Sequence, residues 1–505
     1  MIVVWLKRDL RIEDHAALAE AAARGDLDGV PMVALYAFEP GIWSAPDADA
    51  SHLAFVRECL DELDARMRER GGRVVYRLGD MPEVLERLDR EEPIELLLAH
   101  EETGNAATYA RDLRVARWCR RRGIAFREFR QHGVLRPNPG RDGWAERWER
   151  HMRLPRIDAP PRFLDVDPAR VPSGSIGLAE DLAAAAGLGA DTRAALRQRG
   201  GEREAVGLLA SFLMERCPDY RETMGSPVRA WETCSRLSPH LAWGSMSVRR
   251  AYQGARRRLA QLEQSGEADP RWANSIRSFL SRLSWHCHFI QKLEDEPDIE
   301  TRCMARSYES MRDELDDAVA QERLAAWKAG RTGYPMIDAC MRALVATGWI
   351  NFRMRAMLVS FASHHLWLDW RSFAPWLGRQ FLDYEPGIHY PQVQMQSATT
   401  GINTVRIYSP RKQVEDHDPR GEFIRRWVPE LARVPDEHLA EPHRMPELLQ
   451  LMVGCRIGAD YPAPIVDHKA AYRHAQARIF ALRGTTEARA EARSVFLKHG
   501  SRKRR

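Results

Sequence analysis

The sequence lacks the features that would place it in several common classes. Its eight cysteines form no C-x-x-C pair and no cluster with zinc or iron–sulfur spacing, so we predict no metal centre. No apolar run is long enough to cross a bilayer, and the first residues, MIVVWLKRDLRIEDH, meet charge too early for a signal peptide. Repeats of fixed period are also absent. We therefore expect a cytoplasmic protein with no membrane contact.

A strong excess of one charge is missing as well. There are 76 basic against 71 acidic residues, a formal net charge of +5, which does not by itself name nucleic acid as a partner. Basic residues are locally dense at 117–122, 249–258 and 498–505. The basic end of the chain is either a solvated tail or a phosphate contact.

Two histidines at an interval of two residues offer a weak metal signal. His286 and His288 flank Cys287. Side chains two apart point to different sides of a helix, so they cannot both hold one ion without further ligands. We assign no metal to them.

Apolar periodicity divides the chain into three parts. In residues 1–130, short apolar runs at 2–5, 32–38, 74–78 and 96–99 alternate with amphipathic stretches, which predicts a doubly wound parallel sheet with helices on both faces. With 505 residues, the chain is too long for one ordinary core.

The remaining two parts differ in composition. Residues 131–200 are rich in Pro and Gly, as in PNPGRDGW and VPSGSIG, and are predicted to be a long interdomain linker. Residues 201–505 show helical periodicity with short turns and predict a large all-helical domain. The predicted fold is thus an α/β domain joined by a linker to a helical domain.

A charged pair is predicted inside the helical domain. Arg353 and Arg355 lie two apart on a helical pattern, so one can enter an interior site while the other reaches solvent. A buried guanidinium needs an anionic partner, and Asp383 is the natural candidate. The alternative is an ordinary helix with solvated arginines and a helix-capping aspartate.

A second motif lies about a hundred residues upstream. Tyr220 precedes the run SRLSPHL at 235–241. Small hydroxyl residues at a helix start leave backbone N–H groups and side-chain donors available for a pyrophosphate. The alternative is a plain helix N-terminus with a Ser-Pro opening.

These motifs together resemble the DNA photolyase and cryptochrome family. The chain carries similar W-x-x-G-x-T-G-Y-P, T-G-W-x-x-x-x-R-x-R, D-W-R and L-D blocks between 327 and 390, and WLKRDLR at 5–11 resembles the family's W-F-R-R-D-L-R signature. The resemblance implies a buried FAD in the helical domain. It also allows a second, light-harvesting pigment of folate or deazaflavin type in the α/β domain, although HEETGN at 100–105 departs from the usual N-x-E-Y form and leaves that pigment open.

The resemblance assigns site residues by position. Its implied FAD contacts are Tyr220, Ser235, Arg236, Leu237, Ser238, Arg355, Asp383, Glu385 and His389. Trp285, Arg355, Asp383 and His389 are the implied catalytic residues, and Trp285 and Phe352 are the expected contacts to a flipped lesion in DNA.

The sequence departs from the family around the flavin. Without gaps, His389 occupies the position of the asparagine expected near flavin N5, and two tryptophans of the usual electron-transfer chain are replaced by Val393 and Met395. A neutral imidazole can donate and accept a hydrogen bond, and its titration would make the photocycle pH-dependent. The alternative is a histidine on a surface loop.

Electron transfer therefore needs other aromatic residues. Trp370 matches the middle member of the family's chain. The candidates to complete it are Tyr384, Tyr390, Trp367 and Trp349, and each could equally be a packing aromatic.

The lesion pocket also departs from the family. Trp285 remains, but the acidic residue expected three positions earlier is Arg282, the expected asparagine is Phe352 and the following methionine is Ala356. The choice between cyclobutane and (6-4) lesions stays open. We expect a monomeric, nucleoid-associated photolyase that repairs UV-damaged DNA; the alternatives are a cryptochrome-like photoreceptor and a flavoprotein that carries electrons without light.

Overall fold

The computed structural model describes residues 1–265 and 269–501. Residues 502–505 of the basic end, for which a phosphate contact was considered, lie outside the described residues. Within the described ranges, no helix combines the length and apolar character needed to span a bilayer.

The N-terminal part is built on one parallel sheet, as the sequence predicts. Its strands are β1 (Ile2–Trp5), β2 (Met32–Phe38), β3 (Val74–Leu78), β4 (Leu96–His100) and β5 (Ala125–Phe129), in the order β3-β2-β1-β4-β5. Every residue of β1 and β2 is buried, because helices cover both faces. The strand order reverses between β1 and β4, and such a switch point creates a crevice at the carboxyl ends of the strands.

The sequence did not predict β5. Its residues, AFREF, are half-buried or exposed, so no apolar run marks it. The helices of this part are α1 (Ala16–Asp28), α2 (Pro40–Trp43), α3 (Ala50–Arg68), α4 (Met81–Glu91) and α5 (Ala106–Arg122).

Residues 131–200 are more structured than a linker of that composition suggests. They contain α6 (Trp144–Arg153) and α7 (Leu178–Ala185). They also return to the sheet, where Asp165 bridges to Met32 and Gly174 bridges to Tyr76. This segment therefore covers the edge of the N-terminal domain.

The rest of the described chain is helical, in agreement with the predicted fold class. Its α-helices are α8 (Glu202–Ser211), α9 (Tyr220–Thr223), α10 (Ala230–Thr233), α11 (Ser238–Ala242), α12 (Val248–Ser265), α13 (Pro270–Asp295), α14 (Asp317–Lys328), α15 (Pro335–Thr347), α16 (Phe352–Ser360), α17 (Trp370–Gln380), α18 (Pro386–Gln396), α19 (Pro410–His417), α20 (Glu422–Trp427), α21 (Asp436–Leu439), α22 (Glu447–Val453), α23 (His468–Arg483) and α24 (Thr486–His499). Its largest cluster of buried side chains includes Trp327, Trp370 and Phe373.

Helices α13 and α18 approach each other closely. At Gly387, in the first turn of α18, an added Cβ would lie 2.7 Å from the Cα of Ile290 and 3.1 Å from its Cβ. Because the obstacle includes backbone, a larger residue would push the two helices apart. This contact matters for function because α13 carries Trp285 and α18 carries His389.

We predict that Gly387→Ala lowers the free energy of unfolding by about 1–3 kcal/mol through overpacking. Gly207→Ala is the matched control, because Gly207 is an exposed helical glycine with open space around its Cα, and we expect a gain of about 0.5–1 kcal/mol there. Urea denaturation of both variants is the measurement. Equal stability of Gly387→Ala and the unmodified chain would contradict the packing argument.

Candidate functional site

The centre of the candidate site is an ion pair between Arg355 and Asp383. Nη1 and Nη2 of Arg355 donate to Oδ1 and Oδ2 of Asp383 at 2.9 and 2.8 Å, which is a bidentate geometry. The Asp383 side chain is 3% exposed and that of Arg355 is 27% exposed. Arg353, two residues earlier, is exposed. The carboxylate is therefore shielded from solvent, whereas one edge of the guanidinium is accessible to solvent.

Arg355 is fixed by two further contacts. Its Nε donates to the carbonyl of Ile350 at 2.8 Å, and its Cζ lies 4.2 Å from the centre of the Phe381 ring. A guanidinium held by a carboxylate, a carbonyl and an aromatic face has little rotational freedom. Its positive charge is therefore preorganised.

The loop that carries Asp383 is held by side chains that are distant from it in sequence, two of them in the N-terminal domain. His52 Nε2 donates to the carbonyl of Phe381 at 2.8 Å, and Trp243 Nε1 donates to that of Leu382 at 2.8 Å. Arg8 Nη2 donates to the carbonyl of Tyr384 at 2.5 Å. Three hydrogen bonds thus fix the backbone on both sides of Asp383.

Arg236 supplies a second buried cation. Its Cζ lies 4.4 Å from the Trp231 ring centre and 4.0 Å from that of Trp349, so the guanidinium is held between two indoles. Its backbone has a positive φ of 59°. Gln198 Nε2 donates a hydrogen bond to its carbonyl, and its own Nε donates to Gln198 Oε1. Burial lowers the pKa of Arg236 to about 10, against the opposing effect of Asp383, so the group stays charged at neutral pH.

The hydroxyl residues of the SRLSPHL run lie beside this cation. Ser235 and Ser238 are half-buried, and Ser238 is the first residue of α11. Among the described residues, the Ser238 hydroxyl has no hydrogen-bond partner in the protein. Leu237 is buried, and Tyr220 is a buried residue of α9 whose pKa burial raises.

These residues fit an FAD. Ser235, Ser238 and Arg355 each keep part of the side chain accessible while the surroundings are buried, which suits an anionic diphosphate and a polar ring edge. Ser235, Ser238, Arg236 and Arg355 would hold the cofactor, and none of these contacts requires a metal.

Two exposed aromatic residues form a rim. Trp285 is 41% exposed and Phe352 is 50% exposed, although both are large and apolar. Arg282, one turn before Trp285 on α13, places its Cζ 5.5 Å from the Phe352 ring centre. Exposed aromatic faces next to a cation are a recurrent binding arrangement for nucleobases.

His389 occupies a buried position in α18. Its Nε2 donates to the carbonyl of Ala374 at 2.8 Å. Burial lowers its pKa to about 4, so the imidazole is neutral at physiological pH. This corrects two expectations: the residue is not on a surface loop, and it does not titrate near neutral pH in this structure.

Glu385 lies at the domain boundary. Its Oε2 is 3.3 Å from Nη1 of Arg8, and its Oε1 accepts from the backbone N–H of Gly387 at the start of α18. Burial raises the pKa of Glu385 to about 7, against the opposing charge of Arg8. The structure thus brings this residue, assigned by resemblance to the cofactor, to the N-terminal domain.

Three of the predicted electron-transfer residues, Trp370, Tyr390 and Tyr384, form a contact series through His389, whereas Trp349 packs against Arg236. Trp370 is fully buried, and its ring centre lies 6.4 Å from that of Tyr390. His389 lies 5.3 Å from Tyr390 and 5.4 Å from Tyr384, between ring centres. Trp367 is elsewhere, 4.8 Å from His474 of α23.

A cavity lies in the N-terminal domain, where the sequence left a second pigment open and predicted no lining residues. Its volume is about 100 Å³, it opens to solvent, and it lies at the carboxyl ends of β1 and β2 beside Tyr384. The Trp43 and Trp243 rings stack at 6.0 Å with an interplanar angle of 10° on its wall. Its residues come from distant segments, so only the isolated signature at 5–11 could have signalled it.

One buried cluster has the composition of a metal site. The Oδ2 of Asp9 lies 3.2 Å from His15 Nε2 and 2.8 Å from His100 Nδ1. Burial opposes ionisation of Asp9, yet hydrogen bonds from both histidines hold its pKa well below the usual range. Burial lowers the pKa of both imidazoles, the nearby buried Arg11 acts in the same direction, and its charge would repel a cation. We interpret the cluster as a hydrogen-bonded support of β1 and β4.

Comparison with known proteins agrees with this geometry. The family model described as DNA photolyase matches residues 2–141, and the model described as the FAD binding domain of DNA photolyase matches residues 279–481. Together they cover well over half of the chain. The chain belongs to the DNA photolyase and cryptochrome family.

Relatives carry both of the names that define this family. A deoxyribodipyrimidine photo-lyase of Streptomyces griseus is 31% identical, with 92% of this chain and 96% of that protein aligned. A cryptochrome DASH of Gloeobacter violaceus is 26% identical, with 92% of this chain and 93% of that protein aligned. Identity at this level does not separate repair from light sensing.

Solved structures share the fold. A bacterial class III photolyase from Agrobacterium tumefaciens superimposes with a TM-score of 0.82 at 24% identity, over 96% of this chain and 98% of that one. An archaeal photolyase from Sulfolobus tokodaii, solved with two FAD molecules, gives a TM-score of 0.75 at 24% identity, over 95% and 99% of the two chains.

We predict strong coupling between Arg355 and Asp383. Arg355→Met leaves the Asp383 carboxylate buried without its partner and should cost on the order of 3 kcal/mol of stability. The double variant Arg355→Met/Asp383→Asn should recover much of that loss, because no unpaired charge remains. Urea denaturation of the flavin-free proteins measures the cycle, with the exposed Arg353→Met as control. Additive effects of the two substitutions would contradict the pair.

Proposed function

We propose that this protein is an FAD-dependent, blue-light-driven photolyase that repairs UV-induced pyrimidine dimers in DNA. The observation that carries the proposal is the exposure of Trp285 and Phe352 around Arg282, with Phe352 one turn before Arg355 on α16. A flavin site alone would serve many flavoproteins. An exposed aromatic rim beside it suits extruded bases.

Each part of the site has a role in this proposal. FAD, when bound in its reduced form, supplies the light-excited electron that splits the dimer. Arg355, neutralised by Asp383 on one side, presents positive charge along its open edge and orients the ring system. Ser235, Ser238 and Arg236 hold the diphosphate side.

The substrate is bound by stacking and charge. Extruding a dimer costs a few kcal/mol, less for a lesion that stacks poorly in the duplex. Trp285 and Phe352 offset this cost by stacking on the extruded bases, at about 1–3 kcal/mol per base. Arg282 adds a cation at the rim, where it can contact a phosphate or a base carbonyl.

The N-terminal cavity is proposed as the site of a second chromophore. Stacked indoles, a phenol and Arg8 line it, and a flat aromatic ligand with polar edges would fit these surfaces. The Sulfolobus tokodaii photolyase contains a second FAD, which supports a flavin as one candidate.

A cryptochrome-like photoreceptor is the second candidate function. One observation favours it: Arg282 and Phe352 occupy positions where the family's lesion pocket has an acid and an asparagine. A pocket without those polar groups could bind flavin and respond to light without repair.

The test is repair of defined lesions under blue light. Flavin-loaded protein is incubated with oligonucleotides that contain one cyclobutane dimer or one (6-4) product, and restored thymine is measured in light and darkness. We expect light-dependent repair of one lesion. Trp285→Ala should weaken lesion binding by about 10–100-fold, because a stacking face is lost.

Tyr472→Ala is the matched control, since Tyr472 is also exposed, at 39%, but lies on α23. It should bind lesion DNA as the unmodified chain does. Flavin photoreduction without repair of either lesion would reject the photolyase proposal in favour of a photoreceptor. Flavin reduction only by a partner protein would reject both.

A further inference from the structure

The phenol of Tyr384 makes a contact that flavin binding does not explain. Tyr384 directly follows Asp383, and its Oη donates to Oδ2 of Asp47 at 2.5 Å across the domain boundary. Asp47 also accepts from Asn105 Nδ2 at 3.2 Å. Tyr384 and Asp47 are 6% and 7% exposed. A buried phenol thus meets a buried carboxylate in a short, charge-assisted hydrogen bond.

The surroundings of Tyr384 are aromatic on both sides. Toward the helical core, His389 lies 5.4 Å from Tyr384 and 5.3 Å from Tyr390 between ring centres, and Tyr390 contacts Trp370. Toward the N-terminal domain, its ring is parallel to His52, with an angle of 8° and 6.3 Å between centres. His52 in turn lies 5.5 Å from Trp243. Tyr384 therefore joins the predicted electron-transfer residues to the cavity wall.

Proton transfer decides which of these aromatic side chains can be oxidised to a stable radical. A phenol that loses an electron becomes a very strong acid, so its oxidation in a buried site requires a base within hydrogen-bond distance. Asp47 is such a base. Burial, with the charge of Asp47, raises the pKa of Tyr384 well above its usual range, so the phenol keeps its proton until it is oxidised.

Within the described part of the chain, Trp370 has no equivalent base. Its Nε1 donates to Sγ of Cys303 at 3.4 Å, and burial raises the pKa of that thiol, which therefore stays protonated. An oxidised indole there would remain a cation in an apolar core, which is unfavourable. An oxidised Tyr384, in contrast, can transfer its proton to Asp47 and become a neutral radical.

We propose that Tyr384 is the terminal electron donor in photoreduction of the flavin and that Asp47 is its proton acceptor. This inference rests on the proposed function, because it requires an FAD that absorbs blue light. One electron passes from the Tyr384 phenol to the excited, oxidised flavin, directly or through Tyr390. The Oη–H bond breaks, the proton forms an O–H bond on Oδ2 of Asp47, and a neutral tyrosyl radical remains.

A thiol reductant at the cavity that Tyr384 lines returns Tyr384 and Asp47 to their starting states, while the flavin stays reduced. A thiolate gives one electron to the tyrosyl radical, the proton returns from Asp47 to Oη, and two oxidised thiols combine as a disulfide. One thiol is oxidised for each electron that reaches the flavin, so electrons and protons balance.

The test compares Tyr384→Phe and Asp47→Asn with a control, Tyr252→Phe. Tyr252 is likewise buried, at 5% exposure, and its phenol also faces a carboxylate, Glu149, at 3.4 Å. Flavin-loaded proteins are excited by a blue laser pulse, and radicals are followed by transient absorption and electron paramagnetic resonance. Flavin content and thermal unfolding confirm that each variant is folded.

We expect a neutral tyrosyl radical in the unmodified protein and in Tyr252→Phe. Tyr384→Phe should lose that radical and slow thiol-dependent photoreduction at least tenfold. Asp47→Asn keeps the phenol but should lower the radical yield at least tenfold. A tyrosyl radical of unchanged yield in Tyr384→Phe, or only a tryptophan radical in the unmodified protein, would overturn the proposal.

Failure of the proposed function is distinguishable. If blue light does not reduce the flavin of the unmodified protein, the flavin-free protein is oxidised instead by a photogenerated ruthenium(III) complex. A tyrosyl radical that disappears in Tyr384→Phe then supports the Tyr384–Asp47 pair independently of flavin photochemistry. An equal radical yield in both proteins overturns it.

Discussion

Three hydrogen bonds to backbone carbonyls on either side of Asp383 hold the rest of the site in place. His52, Trp243 and Arg8 bind the carbonyls of Phe381, Leu382 and Tyr384, and they come from segments far from that loop in sequence. With the backbone fixed, two successive side chains meet different partners, Asp383 toward Arg355 and Tyr384 toward Asp47. The N-terminal domain therefore supports the candidate site through His52 and Arg8.

The electrostatics of the site depend on two partly buried arginines that have different surroundings. Arg355 is paired with a carboxylate, whereas Arg236 is held between two indoles without such a partner. Both guanidinium groups lie in a region of reduced solvation, where a fixed charge acts strongly on a neighbouring cofactor. Such an arrangement favours an anionic ligand and an anionic reduced state without a metal.

Much of the fold and of the candidate site could be predicted from the sequence. The other features could not be predicted, for physical reasons. The four apolar runs became strands because buried parallel strands need continuous hydrophobicity, whereas β5, with half-buried and exposed residues, leaves no such pattern. The Arg355–Asp383 pair follows from the cost of a buried unpaired charge. Partners 377 residues apart, such as Arg8 and Glu385, leave no local signal.

Burial was the main quantity that the sequence did not provide. His389 was expected to titrate near neutral pH from its ordinary chemistry, but full burial lowers its pKa to about 4. The segment 131–200 has the composition of a linker, yet it packs against the sheet because Asp165 and Gly174 pair with strand residues. Tyr384 was recognised as an aromatic candidate, but its bond to Asp47 depends on how the two domains meet.

The most direct test of the account is a crystal structure of the protein with FAD bound. We predict that the isoalloxazine lies beside the Arg355–Asp383 pair, with the diphosphate against Ser235 and Ser238. Ordered FAD only in the N-terminal cavity, or a flavin ring remote from Arg355, would contradict the assignment on which the proposed chemistry depends.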